Sequence, residues 1–277
     1  MQEINQANSE ALSRIRSGIK WTSERCETHN IQYMEIEKEE GKWESVCPRC
    51  RLEIENEKFQ QQMQQEIHEQ VQRRKYNTLA SKSLIQDDSI KLARFDNYED
   101  LGAEERVNKQ HALRIVERYK KGERFNLWIQ SLITGVGKSH LAMAILKALN
   151  SLEVSTLFID IDEMLRKIRS SFDDKESPFT EAYFIDLCSK VDFLVLDDLG
   201  AETGDIDTGK RASDYTSRIL RAIMNGRQTK STIITTNLNS ERLNKIYDRK
   251  VISRMMTNIE SIVFEKAKDK RISKINF

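Results

Sequence analysis

Five short apolar runs alternate with helix-periodic segments in the C-terminal two thirds of the chain, and this alternation limits the fold more than any other feature. The runs are rich in β-branched residues, as expected of parallel strands buried on both faces. They cover residues 127–133, 155–161, 191–196, 232–236 and 259–264. Helical periodicity marks residues 140–150, 162–172, 179–190 and 213–225. The pattern predicts an α/β domain in which helices flank a five-stranded parallel sheet.

The N-terminal part of the chain has a different character. Apolar residues spaced by three and four predict a short amphipathic helix over residues 4–19. A polar stretch rich in Gln and Glu predicts a solvated connecting helix over residues 52–79. We therefore expect a small module at residues 1–79, an irregular linker at 80–93 and the α/β domain at 94–277.

Composition narrows the class of protein. Charged residues make up 32% of the 277 residues and hydrophobic residues 38%, which is typical of a globular protein. The formal net charge of +1 gives no overall excess that would attract nucleic acid or a membrane surface. The first twenty residues lack a continuous apolar core, and no stretch is long enough to span a bilayer. We expect a cytoplasmic protein with no membrane partner.

A glycine-rich motif lies between the first predicted strand and the first predicted helix of this domain. It reads Thr134-Gly135-Val136-Gly137-Lys138-Ser139. Glycines let successive backbone N–H groups turn toward an anion, and the following helix adds its N-terminal dipole. We expect these residues to bind ATP, with Lys138 at the β- and γ-phosphates and Ser139 on Mg²⁺. Leu132 replaces the first glycine of the full motif, which predicts weak hydrolysis. The alternative is a glycine-rich turn that caps a helix without a ligand.

Polar residues follow two of the other predicted strands. The third run ends in Asp197 and Asp198, which predicts a Mg²⁺ site at the carboxyl edge of the sheet. We expect Asp197 to act on the Mg²⁺ shell and Asp198 to polarise the attacking water, with Glu202 a weaker candidate. Asn237 follows the fourth run and is placed to contact that water. Arg254 could reach the nucleotide of a neighbouring subunit, and the alternative is an ordinary surface arginine. Together these residues predict an ATPase.

These motifs resemble those of a known family. Residues 135–142, G-V-G-K-S-H-L-A, resemble the loop of DnaC/DnaI-type replicative helicase loaders and of IstB-type transposition ATPases. Residues 195–202 and 235–237 are similar to the family's second motif and sensor strand, and residues 253–255 to its arginine-finger segment. The resemblance spans about residues 95–271. It implies a bacterial or phage AAA+ ATPase that acts as an oligomer, with its finger, Arg254, working on a neighbour. Arg271 stands where the family often has a second sensor arginine. His140 follows the loop motif directly, and we expect it to belong to the nucleotide site in a structural role, packing near the loop.

Four candidate metal ligands cluster near the N-terminus: Cys26, His29, Cys47 and Cys50. Two close pairs separated by a loop can converge on a tetrahedral Zn²⁺ at about 2.0 to 2.3 Å. Because all four positions would be filled by protein, we expect a structural ion. The alternative is a set of free thiols beside an unrelated histidine. The fourth cysteine, Cys188, falls in a predicted helix and is expected to be buried in the core.

Cations and an aromatic residue on the helix after the second strand suit single-stranded DNA. They are Arg166, Lys167, Arg169 and Phe172. A solvated helix face is the alternative interpretation. Because some loaders of the family carry an N-terminal zinc module that grips the helicase, the resemblance implies that residues 1–79 bind a hexameric replicative helicase.

The leading interpretation is an ATP-dependent loader that places a replicative helicase on single-stranded DNA at the start of replication. It would self-associate through its ATPase domain. Two alternatives stay open. One is an IstB-like transposition ATPase acting on duplex DNA. The other is a nucleotide-binding adaptor that inhibits a host loader, an option suggested by the altered position Leu132.

Overall fold

The computed structural model describes residues 19–271 except residues 40, 153 and 204–211. The chain divides into two compact units, residues 1–71 and residues 72–277. The boundary falls inside a long helix, α1, which spans Pro48–Lys82. Most of the helix expected at residues 4–19 lies outside the described residues, and residue 19 begins a strand. The module boundary at residue 79 stays a prediction.

The smaller unit contains a three-stranded antiparallel sheet in the order β1-β2-β3, which sequence reasoning did not anticipate. Its strands are β1, β2 and β3, at Ile19–Arg25, Gln32–Glu39 and Lys42–Val46. Trp21 and Trp43 on these strands are 58% and 39% exposed. Among the described residues before residue 72, only Cys26 and Cys47 are buried. Apolar burial therefore contributes little to this sheet.

Helix α1 confirms the connecting helix predicted over residues 52–79 and extends it at both ends. Its apolar side chains in the first unit are exposed, at Leu52, Ile54, Phe59, Met63, Ile67 and Val71. The helix is long, but its mixed polar surface is that of a solvated helix. Of the helices in the described part of the chain, none is both long and apolar enough to cross a membrane.

The larger unit is built on five strands, all parallel, in the order β5-β6-β7-β4-β8. Strands β4 to β8 span Asn126–Ser131, Thr156–Asp160, Phe193–Leu199, Ser231–Thr236 and Ile259–Phe264. The predicted five-stranded parallel sheet is confirmed. Strand β4 ends at Ser131, earlier than predicted, because the chain turns there into the glycine loop. Strand β6 continues to Leu199, past the two aspartates.

Helices cover both faces of this sheet. Helices α2 to α9 span Asp88–Leu92, Ala103–Lys120, Lys138–Asn150, Ile161–Ser170, Glu181–Lys190, Asp214–Asn225, Ser240–Ile246 and Arg249–Met255. Successive side chains of β4 point to opposite faces of the sheet, so the core has two parts. Leu127 and Ile129 pack with α3 and α4, whereas Trp128 packs with α5 to α9. Helices α4 to α7 match predicted segments. The linker expected at residues 80–93 is not irregular throughout, since it contains α2.

One buried cation ties together the amino ends of β6 and β7. Arg227 is 2% exposed, and its guanidinium donates five hydrogen bonds. The acceptors are the carbonyl oxygens of Cys188, Val191, Asp192 and Ser231 and the hydroxyl of Thr232. These five hydrogen bonds stabilise the buried charge of the guanidinium. Cys188 itself is fully buried on α6, as predicted.

Candidate functional site

A cavity of about 620 Å³ lies at the carboxyl edge of the five-stranded sheet. Side chains from the ends of β5, β6 and β7 line it, among them Asp160, Asp197, Asp198 and Asn237. Lys138, the first residue of α4, lines it from the glycine loop. This edge is where open parallel sheets hold their ligands. The structure thus brings the predicted phosphate, magnesium and sensor residues into one cavity.

The glycine loop between β4 and α4 has the backbone that the motif requires. Gly135 and Gly137 have φ of 67° and 99°, values that side chains rarely allow. A Cβ on Gly137 would also lie 2.9 Å from the ring of Tyr98. Leu132, which stands in place of the first glycine, is 63% exposed. Its side chain is absent from the described lining of the cavity, so the substitution does not fill the site.

Lys138 is held by hydrogen bonds inside the cavity. Its Nζ donates to Asn237 Oδ1 at 2.7 Å and to the carbonyl oxygen of Ile133 at 3.3 Å. Asn237 Nδ2 in turn donates to Asp198 Oδ1 at 2.7 Å. Burial lowers the pKa of Lys138, which the two nearby aspartates oppose. One asparagine therefore links the candidate phosphate-binding cation to the candidate water-polarising carboxylate.

Asp197 is buried beside the start of α4. Its Oδ1 accepts a 2.6 Å hydrogen bond from the hydroxyl of Thr235, and Ser139 lines the same cavity. Burial raises the pKa of Asp197 to about 7, and it raises the pKa of Asp198 as well. A carboxylate and a hydroxyl that line one cavity are oxygen ligands of the kind Mg²⁺ prefers. The residues fit the predicted magnesium site.

Asp198 has a constrained backbone. Its φ is 57°, which is uncommon for a residue with a side chain. Its N–H donates to the hydroxyl of Thr235 at 2.8 Å. This hydroxyl therefore fixes both aspartates, one through its side chain and the other through its backbone. Strain of this kind is found where a side chain must be aimed at a ligand.

Asp160 is a cavity residue that sequence reasoning missed. It ends β5 and pairs in register with Asp197 on β6. Its Oδ1 accepts from the N–H of Glu163 at 2.9 Å, capping α5, and from Gln86 Nε2 at 3.2 Å. Burial raises its pKa. The available signal was an aspartate at the end of the second apolar run, before a helical segment.

Glu202, the weaker candidate for activating water, has both carboxylate oxygens engaged. Oε1 accepts from the hydroxyl of Tyr247, and Oε2 accepts from the N–H of Gly200 at 3.0 Å. Burial raises the pKa of Glu202. The geometry favours a role in joining the end of β6 to the end of α8.

His140 and Arg271 both line the cavity. His140 Nε2 lies 2.9 Å from the carbonyl oxygen of Arg94 and 3.1 Å from Asn97 Oδ1, so this nitrogen carries a proton and donates. Burial lowers the pKa of His140, which keeps the ring neutral. The guanidinium of Arg271 lies 3.7 Å from the Asp87 carboxylate. His140 is therefore hydrogen-bonded to the segment that contains Arg94 and Asn97. The side chain of Arg271 is exposed at the cavity.

Arg254 is not brought into this cavity. It lies in the last turn of α9, and its Nη1 donates to the carbonyl oxygen of Lys250 at 2.9 Å. The described cavity lining does not include it. This helix is the second of the two short helices, α8 and α9, that follow β7.

The candidate DNA-binding cations on α5 all have acidic neighbours on the same helix. Arg166 Nε donates to Glu163 at 2.9 Å, and Lys167 Nζ lies 3.5 Å from the same carboxylate. Arg169 lies 3.9 Å from Asp162. These pairs reduce the positive charge that the helix offers to phosphates. The aromatic member of the set, Phe172, is 62% exposed, and DNA binding here stays a prediction.

The four predicted zinc ligands converge. Their sulfur and nitrogen atoms all lie within 4.8 Å of one another, in the group Cys26, His29, Cys47 and Cys50. The Sγ atoms of Cys26 and Cys50 are 3.6 Å apart. His29 Nδ1 lies 3.8, 3.8 and 3.3 Å from the sulfurs of Cys26, Cys47 and Cys50. Tetrahedral ligands about 2.0 to 2.3 Å from Zn²⁺ are separated by roughly 3.5 to 3.8 Å. The donor set therefore fits zinc.

Neighbouring groups prepare these ligands for a metal. His29 Nε2 lies 3.0 Å from Glu53 Oε1, so the carboxylate holds the proton on that nitrogen and leaves Nδ1 facing the sulfurs. The backbone N–H of His29 lowers the pKa of Cys26 to about 6, which favours the thiolate. A carboxylate hydrogen-bonded to a ligating histidine is common in metal sites.

The fold and the cavity together define a nucleotide-binding α/β protein of the P-loop class. The family of IstB-like ATP binding proteins matches residues 53–259. The chain belongs to this family. The match confirms the resemblance inferred from the loop, the aspartate pair and the sensor strand.

Similar proteins point to the same group. The chain is 30% identical to the replicative helicase loader DnaC of Escherichia coli K12 over 123 residues, which are 44% of this chain and 46% of that protein. It thus spans about half the length of such curated relatives. The crystal structure of DnaI has a TM-score of 0.53 at 23% identity, covering 65% of this chain and 95% of that one. The crystal structure of the DnaC helicase loader has a TM-score of 0.52 at 24% identity, covering 64% and 99%. At these identities the structures show a common fold.

Proposed function

We propose that the chain is an ATP-dependent loader that binds a hexameric replicative helicase and places it on single-stranded DNA. Its family and its similarity to DnaC support this proposal. The observation that carries it is the hydrogen-bonded series Lys138, Asn237 and Asp198 beside the buried Asp197. A cation, an amide and two carboxylates around one cavity are the groups needed to bind and cleave a triphosphate.

Each group has a proposed role. The backbone of the glycine loop and Lys138 bind the phosphates, and Ser139 and Asp197 hold Mg²⁺. The metal ion supplies positive charge that neutralises the phosphate oxygens. Asp198 orients and polarises the attacking water. Asn237 keeps that carboxylate and the lysine in place, because it bonds to both.

The proposal includes self-association through the ATPase domain. Arg254 lies outside the cavity and near the end of α9, so it would complete the site of a neighbouring subunit. Arg271, at the cavity of its own subunit, would act as a second sensor of nucleotide. A cation supplied in trans couples hydrolysis to assembly.

The other two partners are assigned to different parts of the chain. The zinc-binding cluster at Cys26, His29, Cys47 and Cys50 would stabilise an arm, residues 1–79, that binds the helicase. Single-stranded DNA would contact α5. Support for α5 is that its N-terminal cap, Asp160, lines the nucleotide cavity, so nucleotide and DNA would share one element.

A loading assay tests the proposal. The full chain, a hexameric replicative helicase and single-stranded DNA coated with binding protein are mixed with ATP, and unwinding is measured. We expect unwinding to require the wild-type chain and to be lost with Lys138→Ala, whereas Lys121→Ala, at an exposed lysine outside the cavity lining, should behave as wild type. Loading by the Lys138→Ala chain would contradict the proposal.

Two other outcomes would identify the alternatives. Assembly on duplex DNA without helicase binding would indicate an IstB-like transposition ATPase. Nucleotide binding without turnover, together with inhibition of a host loader, would indicate an adaptor.

A further inference from the structure

The segment after β8, residues 265–271, lies against the glycine loop, and we call it the strap. Helix α3 holds its start. Asn108 Nδ2 donates to the carbonyl oxygen of Val263 at 2.9 Å. Four residues earlier on the same helix face, the carboxylate of Glu104 accepts three successive backbone N–H groups. They belong to Glu265, Lys266 and Ala267, at 2.9, 2.9 and 2.7 Å.

The far end of the strap is bonded to the loop. The hydroxyl of Thr134 donates to Asp269 Oδ2 at 3.3 Å, and the N–H of Lys270 donates to the carbonyl oxygen of Gly135 at 3.1 Å. Asp269 Oδ1 also accepts the N–H of Arg271 at 2.8 Å. A Cβ on Gly135 would lie 1.9 Å from Asp269 Oδ1. Glycine is therefore required at this position by the strap as well as by the loop's backbone.

We infer that Glu104 is a positioning residue for the nucleotide, acting through the strap. Its carboxylate fixes the start of the strap, and Asp269 then fixes the loop and orients Arg271 at the cavity. Neither carboxylate is part of the described cavity lining, and hydrogen bonds of the strap connect both of them to residues that are. The inference rests on the proposed nucleotide site. Its physical basis is that a carboxylate bound by several N–H groups is held firmly.

Two variants of equal charge test this inference. Glu104→Ala removes the anchor, whereas Glu265→Ala removes an exposed carboxylate next to it and leaves the backbone N–H in place. Binding of MgATP is measured by calorimetry, and strap release by the rate of tryptic cleavage after Lys266 and Lys268. We expect Glu104→Ala to weaken MgATP binding about tenfold and to speed cleavage by a similar factor. Glu265→Ala should stay within about twofold of wild type.

A double variant separates positioning from a loss of stability. If Glu104 acts by placing the strap and Arg271, adding Arg271→Ala to Glu104→Ala should weaken binding no further. Losses that multiply would overturn the inference. If Glu104→Ala does not fold, Asp269→Ala releases the other end of the strap and should give the same loss of affinity.

The control for the site itself is Lys138→Ala. Wild-type affinity in that variant would refute the nucleotide site. Loss of affinity there, together with wild-type affinity in Glu104→Ala, would refute the role of Glu104 alone.

Discussion

Removing the metal from the smaller unit should unfold its sheet and leave the larger unit folded. Before residue 72, the described part of the chain buries no aliphatic or aromatic side chain, only Cys26 and Cys47. A fully buried Leu or Phe contributes about 1.5–3 kcal/mol. The apolar side chains whose burial is described in β1 to β3, such as Met34 and Ile36, are at most partly buried. Structural Zn²⁺ contributes about 10–16 kcal/mol at neutral pH in small modules. That is comparable with the whole stability of a typical domain, about 5–15 kcal/mol. The metal would therefore stabilise this unit to the extent that a hydrophobic core stabilises a larger domain.

The assay compares two cysteine variants. Elemental analysis should find one zinc per wild-type chain and per Cys188→Ala chain, but little in Cys47→Ser. Treatment with EDTA should expose the β1–β3 segment to trypsin while the ATPase unit stays resistant. Acidification should have the same effect, because thiolates must be deprotonated to bind zinc. A zinc-free chain whose residues 19–47 stay folded and resistant would refute the reasoning.

Further predictions concern the larger unit. Because Asp197 has a pKa near 7 and Mg²⁺ needs the ionised form, magnesium titrations should show affinity falling as the pH drops through 7. Without metal, the stability of the fold should change with pH in the opposite direction, because the raised pKa of Asp197 favours the folded state at low pH. In urea unfolding at pH 8, Asp197→Asn should therefore be more stable than the wild type by about 1–3 kcal/mol. Arg227→Met should lower the free energy of unfolding by about 3–5 kcal/mol, because it leaves buried acceptors without donors. Asp198→Asn should lower the rate of ATP turnover about a hundredfold or more. Glu202→Gln should lower that rate by less than about tenfold, because both carboxylate oxygens of Glu202 already accept hydrogen bonds.

The five-stranded sheet could be predicted because its strands are buried on both faces and leave continuous apolar runs. The three strands of the smaller unit could not. Their apolar residues are few and only partly buried, such as Met34 and Ile36 in β2, and β1 is mostly polar over residues 20–25, Lys-Trp-Thr-Ser-Glu-Arg. Helices α8 and α9, of seven residues each, are too short to show a helical period. Helix α3 was not predicted, because its many polar residues obscure the apolar residues that it buries on one face.

The candidate site divides in the same way. The glycine loop and the aspartate pair are local patterns that a reader of the sequence can find. Glu104 and Asp269 acquire their contacts only when the strap folds against α3 and the loop, so no local pattern marks them. Asp160 is intermediate, because its position at the end of a strand was visible and its neighbours were not.

The most direct test of the central claim is the affinity of the full chain for MgATP, measured by calorimetry for the wild type, Lys138→Ala and Lys121→Ala. We expect one binding site in the wild type and in Lys121→Ala, whose exposed side chain lies outside the cavity lining. In Lys138→Ala the affinity should fall about a hundredfold, because the buried ammonium next to Asn237 would no longer meet the phosphates. Equal affinity in all three chains would contradict the account.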